Sequence, residues 1–336
     1  MATRSKSLWS GGPVLVTGAG GFIGSHVVEA LLDRGARVRA LVHYNGAGRQ
    51  GFLDEIDGRR RARLEVVAGD VRDAHQMAEV VKGCSAVAHL AALIAIPYSY
   101  QAADSYVATN VQGTLNLLEA CRRHKVRRLV VTSTSEVYGT AQRTPMDETH
   151  RLNAQSPYAA SKIAADQMAL AYHRSHALPV VVLRPFNTSG PRQSARAVLP
   201  TILSQILSGA KTLALGNTAP RRDLTFVTDT AAAFVAALER PGLDGEVIHF
   251  GQGKAASVGE LAEKSMTLLR RRPRLKIDRA RARPAASEVD LLLCDAGKAR
   301  RLLNWTPRVG LDEGLRRTAE YLRRHLSAYR PGDYAR

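Results

Sequence analysis

The sequence has few cysteines, few aromatic residues and no long apolar segment. Its three cysteines, Cys84, Cys121 and Cys294, lie far apart, so neither a disulfide framework nor a zinc cluster is predicted. Apolar runs such as 86–97 are well short of the ~20 residues that a membrane-spanning helix needs. The first residues lack the apolar core of a secretory signal. We therefore expect a cytoplasmic protein that binds no metal and no membrane.

Acidic residues are also scarce relative to basic ones. The chain of 336 residues has 48 Lys and Arg against 30 Asp and Glu, a formal net charge of +18, which favours anionic partners. The basic clusters at 59–63, 122–128 and 270–283 are compatible with a polynucleotide, a small diphosphate or a merely solvated surface. Because no aromatic interleaving or nucleic-acid motif accompanies them, we expect no nucleic-acid partner.

The first half of the chain alternates short β-branched runs with longer amphipathic segments, as in a parallel sheet with crossover helices. After Arg184, proline and glycine separate shorter segments. The sequence predicts an α/β fold with a Rossmann-like doubly wound parallel sheet over 12–184. It also predicts a smaller C-terminal substrate lobe over 185–327, with segments that cross back to the sheet. The strands are predicted over 13–17, 38–43, 64–68, 86–89, 129–133 and 180–183, and the helices over 23–33, 73–81, 105–124 and 158–176.

A glycine-rich loop follows the first predicted strand and opens the first helix. Its glycines are spaced as GxxGxxG rather than GxGxxG. Glycine lets the backbone turn sharply and approach a pyrophosphate, whose charge the helix N-terminus favours. The sequence therefore predicts a dinucleotide site. Its candidate residues, some of which follow later strands, are Gly18, Gly21, Phe22, Ile23, Gly24, His43, Asp70, Val71, Leu90, Ala91, Ala92, Tyr158 and Lys162.

The acidic residue that holds the ribose hydroxyls in many NAD enzymes is missing from the end of the second strand, where 40–45 reads ALVHYN. With His43 and Arg49 nearby, no carboxylate repels a 2′-phosphate there. NAD and NADP therefore both remain open as the cofactor. Asp70, just beyond the third strand, can accept a hydrogen bond from the adenine amino group or cap the next helix, a role that suits Asp73 better.

The candidate catalytic residues lie in two segments. Tyr158 and Lys162 share one face of a predicted helix. A nearby ammonium favours a phenolate, so we expect Lys162 to lower the pKa of Tyr158 and let it act as a base. The segment after the fifth strand adds Thr134, whose hydroxyl can share the proton, then Ser135 and the carboxylate of Glu136. This segment follows a strand at its carboxyl end, where ligands bind in open α/β sheets.

These motifs together resemble the extended short-chain dehydrogenase/reductase family of nucleotide-sugar epimerases and dehydratases. The likeness extends from about residue 13 to residue 326. The triplet at 134–136 resembles those of hexose 4,6-dehydratases and UDP-glucuronate decarboxylases. Longer segments resemble the N-acetylglucosamine-nucleotide 4,6-dehydratases of legionaminic acid pathways, although Ser189 stands where that family usually has Tyr. These segments are 97–100, 109–114, 185–187, 190–198 and 287–289.

The resemblance implies a nucleotide-sugar substrate and a tightly held NAD or NADP that is regenerated in each cycle. It implies that Asn187 and Arg222 bind the nucleotide diphosphate, and that Arg283 and Glu288 lie near its ribose and base. A local ion pair between Arg222 and its neighbour Asp223 is an alternative to the first of these roles. The resemblance further favours a homodimer formed through the predicted helices 105–124 and 158–176.

The resemblance also implies a mechanism. In a 4,6-dehydratase, Tyr158 removes the proton of the C4 hydroxyl and Glu136 removes the C5 proton, and Asn110 fixes an active-site helix. Glucose-type dehydratases carry Asp before this Glu, whereas this chain has Ser135, so we expect Glu136 to act as both base and acid. A UDP-glucuronate decarboxylase, a 4-epimerase and a non-catalytic dinucleotide sensor remain alternatives.

Overall fold

The computed structural model describes residues 11–281 and 284–329 of the chain. In chain order, its strands are β1 (Val14–Thr17), β2 (Val38–His43), β3 (Leu64–Gly69), β4 (Ala86–His89), β5 (Leu129–Thr132), β6 (Val180–Pro185), β7 (Asn187–Ser189), β8 (Thr212–Leu215), β9 (Arg221–Phe226), β10 (Val247–Phe250), β11 (Ala255–Ser257), β12 (Arg274–Ile277) and β13 (Leu291–Leu292). Its α-helices are α1 (Phe22–Asp33), α2 (Gly58–Arg61), α3 (Ala74–Val81), α4 (Ile96–Ser99), α5 (Ala103–Tyr106), α6 (Gly113–Arg123), α7 (Pro157–His176), α8 (Val198–Leu207), α9 (Val227–Glu239), α10 (Val258–Leu269), α11 (Gly297–Leu303) and α12 (Leu311–Arg324). No helix in these ranges is long and apolar enough to span a membrane.

The largest sheet has seven strands in the order β10-β6-β5-β4-β1-β2-β3, and every neighbouring pair is parallel. The chain leaves β1 toward β2 and β3 on one side and returns to β4 on the other. This reversal defines a doubly wound sheet. The predicted Rossmann-like α/β fold is therefore confirmed. The predicted strands 38–43 and 86–89 have the observed bounds, and the other four predicted strands differ by no more than two residues at either end.

The central strands β1, β4, β5 and β6 are buried on both faces, which explains why they are mostly apolar rather than alternating. In β1, Val14 and Val16 pack into the core on the side of α1 and α9. Leu15 points to the opposite core, which is shared with α3, α6 and α7. The two layers of helices leave the strand ends as the accessible parts of the sheet. Loops at those ends can therefore form a site.

The predicted helix over 105–124 is wrong as a single regular helix. It consists of α5, a π-helical turn over Val107–Gln112, and α6. The turn buries Asn110, whose side chain accepts from the Leu93 amide at 2.9 Å and donates to the Leu93 carbonyl at 2.9 Å and the Ser161 hydroxyl at 3.0 Å. Single π turns of this kind are common at functional sites. Asn110 joins the loop after β4 to α7, in agreement with the role that the resemblance implied.

The second half of the chain forms two smaller sheets and also contributes to the large one. β9 pairs with β7, β11 and β13, and β8 pairs with β12. β10 crosses back and pairs with β6 from Val247↔Val182 to Phe250↔Pro185. The Phe250 side chain is fully buried, and its ring centroid lies 5.2 Å from that of Trp305. The returning strand is thus held by packing as well as by the sheet.

We expect Phe250→Ala to destabilise the fold by about 3–5 kcal/mol, because a buried aromatic leaves a cavity that the sheet cannot close. The free energy of unfolding in urea measures this cost. Leu268→Ala is the control, since that side chain is 38% exposed, and it should change stability by no more than about 0.5 kcal/mol. Equal, small effects of both substitutions would contradict the role of Phe250 in anchoring β10.

Candidate active site

The predicted cofactor residues and the segment around Glu136 lie at the carboxyl edge of the large sheet. Ligands bind at that edge in such sheets, near the reversal of strand order, which here lies between β2 and β4 around β1. The structure places Gly18, Gly21, Phe22, Ile23 and Gly24 after β1, His43 at the end of β2, Asp70 and Val71 after β3, Leu90, Ala91 and Ala92 after β4, and Thr134, Ser135 and Glu136 after β5.

The loop between β1 and α1 brings bare backbone close to neighbouring backbone. Gly18 has a φ of +65°, and a Cβ there would lie 2.8 Å from the Ala91 amide nitrogen. A Cβ on Gly24 would lie 2.2 Å from the carbonyl oxygen of Gly18. Side chains at these positions would displace the loop. The glycines therefore form the kind of close-fitting backbone cradle that a pyrophosphate needs.

The first turn of α1 presents backbone N–H groups to the same loop. Among the described residues no side chain caps this helix, whose N-cap is Gly21, and its first turn has no acidic residue. The Thr17 hydroxyl anchors the adjoining loop by accepting from the Leu90 and Ala91 amides, each at 3.1 Å. N–H groups and the partial positive charge of a helix N-terminus suit phosphate oxygens. These residues fit the diphosphate of a dinucleotide.

Asp70, the predicted adenine ligand, is paired with Arg72. The guanidinium donates to both carboxylate oxygens at 2.5 to 3.0 Å, and these hydrogen bonds lower the pKa of Asp70. His43 lies 3.9 Å from the same carboxylate. Helix α3 is instead capped by Asp73, which accepts from the Gln76 amide at 2.9 Å, as expected. A contact between Asp70 and adenine stays a prediction.

Helix α7 carries Tyr158 and Lys162 into the interior. The helix begins at Pro157 after Ser156, whose side chain accepts a first-turn amide, an arrangement that favours helix initiation. Tyr158 is 7% exposed and Lys162 is 3% exposed. The Lys162 ammonium donates a hydrogen bond to the carbonyl oxygen of Thr132. This contact attaches α7 to the end of β5.

A 3-10 turn over Ser135–Tyr138 follows β5 and carries Glu136. Thr134 caps this turn by accepting from the Glu136 amide at 3.2 Å, and its hydroxyl lowers the pKa of Tyr158 against the larger effect of burial. Glu136 is 9% exposed, and its negative charge acts on the Tyr158 phenol. The predicted hydroxyl, carboxylate and phenol therefore converge at one place.

The expected effect of Lys162 on Tyr158 is wrong. Burial raises the pKa of Tyr158, and the Glu136 charge adds to this shift, although the hydrogen bond with Thr134 opposes it. Burial also lowers the pKa of Lys162 to about 8, and its ammonium binds the Thr132 carbonyl. A four-residue spacing places both side chains on one helix face, but it does not show which oxygen the lysine reaches.

The predicted substrate residues gather on the smaller sheet around β9. β7 pairs with β9 so that Asn187 lies opposite Leu224. Arg222 lies two residues before Leu224 on β9, so the side chains of Arg222 and Leu224 are on the same face of the sheet. The Glu288 carboxylate, just before β13, lies 3.6 Å from the Arg222 guanidinium. Arg283, predicted near the ribose and base, lies outside the described residues.

Asp223, the alternative partner for Arg222, binds backbone amides instead. Its carboxylate accepts from the amides of Gln252 at 2.6 Å, Gly253 at 2.8 Å and Cys294 at 3.2 Å. Burial raises its pKa to about 6 despite these hydrogen bonds. The ion pair described for Arg222 is instead the one with Glu288.

Sequence reasoning missed Gln155, which connects the two halves of the site. Its side-chain oxygen accepts from the Thr140 amide at 2.6 Å. Its side-chain nitrogen donates to the carbonyl oxygens of Ala286 at 3.1 Å and Glu288 at 3.0 Å. Its position just before the segment of Tyr158 is the signal that could have identified it.

Comparisons with known proteins agree with this geometry. The sequence matches the family described as GDP-mannose 4,6 dehydratase over residues 15–318. The chain belongs to this family. As a member of the GDP-mannose 4,6 dehydratase family, it is an NAD-dependent nucleotide-sugar enzyme of the epimerase/dehydratase class, within the extended short-chain dehydrogenases/reductases. The family resemblance of the motifs is thereby confirmed.

Relatives in this family include both dehydratases and epimerases. A dTDP-glucose 4,6-dehydratase from Streptomyces niveus is 35% identical over 325 residues, which cover 95% of this chain and 95% of that protein. A UDP-glucuronate 4-epimerase from Thermodesulfobacterium geofontis is 30% identical over 323 residues, or 94% and 97% of the two chains. DesIV, a dTDP-glucose 4,6-dehydratase from Streptomyces venezuelae solved with NAD bound, has a TM-score of 0.84 at 33% identity and covers 95% and 99%.

We expect Gly24→Ala to weaken NAD binding by about 10- to 100-fold, because relieving the clash with Gly18 costs on the order of 1–3 kcal/mol of backbone strain. Calorimetric titration of cofactor-stripped protein measures the loss. Gly46→Ala is the matched control, since a Cβ there meets nothing within 4 Å in the described chain. Wild-type affinity in the Gly24 variant would contradict the cradle.

Proposed function

We propose that this family member is a nucleotide-sugar 4,6-dehydratase that uses NAD. The observation that supports this proposal is the place of Glu136, a buried carboxylate beside the phenol of Tyr158 and the hydroxyl of Thr134. Burying a carboxylate is unfavourable unless it has a task or a partner. A 4-epimerase needs no base for C5, whereas a dehydratase does.

The first half-reaction needs a base at the C4 hydroxyl. We assign Tyr158 to accept that proton and the Thr134 hydroxyl, which favours the ionised phenol, to share it. NAD held by the Gly18–Gly24 loop would supply the hydride acceptor, and its positive charge would favour the Tyr158 phenolate. Lys162 holds α7, and with it Tyr158, against the end of β5 through the Thr132 carbonyl.

The second half-reaction needs a base at C5, whose proton becomes acidic once C4 is a ketone. Glu136 accepts this proton and then donates one to the departing C6 hydroxyl, which leaves as water. Ser135 cannot serve as a second acid in the way an aspartate can, so Glu136 takes both roles. Loss of water leaves a 4-keto-5,6-ene; the reduced nicotinamide would return its hydride to C6 while Glu136 gives a proton back to C5, so that the product is a 4-keto-6-deoxy sugar nucleotide and the cofactor ends as it began.

We propose that the cofactor lies over the Gly18–Gly24 cradle, with Asp70 and His43 toward its adenosine end. The uncapped start of α1 supports the place of the diphosphate. The NAD bound in the solved structure of DesIV, which is 33% identical to this chain, supports NAD as the cofactor.

We further propose that the substrate is an NDP-N-acetylglucosamine or a related NDP-hexose, bound by Asn187, Arg222 and Glu288. A guanidinium suits diphosphate oxygens because it can donate two parallel hydrogen bonds. The buried side-chain oxygen of Asn187 has no hydrogen-bond partner among the described residues, and this supports a ligand-binding role. The segment over 97–100 supports an N-acetylated sugar by its resemblance to legionaminic-type dehydratases.

Incubation with a panel of nucleotide sugars tests the reaction directly. We expect mass spectrometry to show a product that has lost one water from a UDP- or GDP-linked N-acetylglucosamine or hexose. An unchanged mass with a new epimer would identify an epimerase, and loss of carbon dioxide from a uronic acid would identify a decarboxylase. Either of these results would overturn the dehydratase proposal.

Glu136→Gln separates the two half-reactions. The amide keeps the shape of the carboxylate but cannot accept the C5 proton, so turnover should fall by about 10²–10⁴-fold. Oxidation at C4 continues, so reduced nicotinamide should accumulate on the enzyme and be visible by its absorbance. Glu65→Gln is the control, because this side chain is 53% exposed and pairs with Arg39 at the surface. Wild-type product formation by the Glu136 variant would refute the assigned base.

A further inference from the structure

A fully buried ion pair lies behind the catalytic residues. The Arg184 Nε donates to an oxygen of Asp166 at 3.0 Å, and the two side chains are 4% and 0% exposed. Ser133, the residue after β5, donates to the same oxygen at 2.7 Å. The pair thus joins α7, which carries Asp166, to β6, which carries Arg184, at the level of the site.

Asp166 lies next to Lys162 on the buried face of α7. The two residues are one helical turn apart, the same spacing that separates Lys162 from Tyr158. The second Asp166 oxygen, Oδ1, has no hydrogen-bond partner among the described residues. The Asp166 charge raises the pKa of Lys162 against the larger effect of burial. Asp166 therefore helps to keep the buried ammonium charged.

Arg184 reaches in the other direction, to the turn that carries Glu136. Its Nη1 donates to the Tyr138 hydroxyl at 3.1 Å, and its guanidinium lies 5.2 Å from the Tyr138 ring centroid. Tyr138 is the last residue of the Ser135–Tyr138 turn. A single planar guanidinium therefore contacts both the helix of Tyr158 and Lys162 and the turn of Glu136.

We propose that Asp166 and Arg184 are positioning residues that fix the helix of Lys162 and the turn of Glu136 relative to each other. The inference rests on the proposed function, which assigns the roles of Lys162 and Glu136. A purely stabilising role explains the pair less well, because buried ion pairs are often no better for stability than apolar residues of similar volume. Arginine also suits this task better than lysine, since its fork can bind two partners at once.

Other ionisable groups around the pair limit how it can respond to pH. On the same helix lies Tyr158, whose pKa burial raises. From β4, His89 faces Lys162, and burial lowers its pKa to about 3, so it stays neutral. Burial raises the pKa of Tyr138 to about 12. Burial raises the pKa of Asp166 itself, although Arg184, Ser133 and Lys162 oppose that shift. Burial lowers the pKa of His249, which is hydrogen-bonded to Tyr138 at 3.2 Å. Lys162, with a pKa of about 8, is the group whose titration the following experiment monitors.

Asp166→Asn tests the contribution of the charge. An asparagine can present its oxygen to Arg184 and Ser133 and so keep the hydrogen bonds while removing the negative charge. Lys162 should then lose its proton at a pH at least about one unit lower, since a neighbouring opposite charge typically shifts a pKa by 1–3 units. The ¹³Cε shift of Lys162, assigned with a Lys162→Arg variant, reports this titration whether or not the enzyme turns over.

The kinetic test is whether the substitution changes kcat more than it changes KM. In Asp166→Asn, kcat at pH 8 should fall about tenfold and its alkaline limb should move to lower pH, with KM for the nucleotide sugar changed less than about twofold. Arg184→Lys keeps the charge but loses the fork. It should lower the rates of both C4 oxidation and C5 deprotonation, measured in single-turnover experiments.

Asp244→Asn is the matched control. Asp244 pairs at 3.2 Å with Arg128, another buried arginine, next to the amino end of β5 and away from the site. This variant should lower the melting temperature without moving the Lys162 titration, the pH profile or KM. Asp244 is 47% exposed, so this variant tests the loss of a carboxylate partner from a buried arginine outside the site.

The outcomes separate the inference from the function on which it rests. An unmoved Lys162 titration in Asp166→Asn, or a variant that loses only thermal stability, as the Asp244 control does, would overturn the positioning role. A wild-type enzyme that removes no water from any nucleotide sugar would overturn the dehydratase. In that case a moved Lys162 titration would still support the link between Asp166 and Lys162.

Discussion

Much of this architecture follows from the need to stabilise one ammonium group away from water. Lys162 is 3% exposed, and a buried cation is costly unless the protein supplies an oxygen and a negative charge. The oxygen comes from the Thr132 carbonyl, which requires α7 to lie across the end of β5. The charge comes from Asp166 one turn later, which in turn requires Arg184 on β6. The need to stabilise the Lys162 ammonium thus fixes α7 relative to β5 and β6, and with them the site.

The site combines two demands that oppose each other. A carboxylate close to a phenol makes the phenolate harder to form, and the Glu136 charge does raise the pKa of Tyr158. An enzyme that uses only the phenol would do better without that carboxylate. Placing both groups in one buried pocket is reasonable if each removes a different proton at a different moment. Dehydratases and epimerases share the fold and similar levels of identity here, and the second base is the feature in which the proposed dehydratase would differ from an epimerase.

The sequence was most informative where a local pattern determines the outcome. Apolar β-branched runs predicted β2 and β4 with their observed bounds, and the glycine spacing predicted the loop before α1. The interruption of the predicted helix at Val107–Gln112 was not visible, because it depends on the contact of Asn110 with Leu93. Arg184 and Gln155 were missed for a similar reason. Their partners Asp166 and Glu288 are distant in the chain, and only the folded structure brings them together.

The return of β10 to the large sheet has a consequence for how the chain is made. Until residues 247–250 are synthesised, β6 is an open edge of a parallel sheet, with unpaired backbone groups along one side. The first 185 residues therefore cannot complete their own sheet as they leave the ribosome. Closure of the nucleotide-binding half waits for a segment that follows β7, β8 and β9 in the chain. The two halves are separate in the roles proposed for them, but the large sheet can be completed only after most of the chain has been translated.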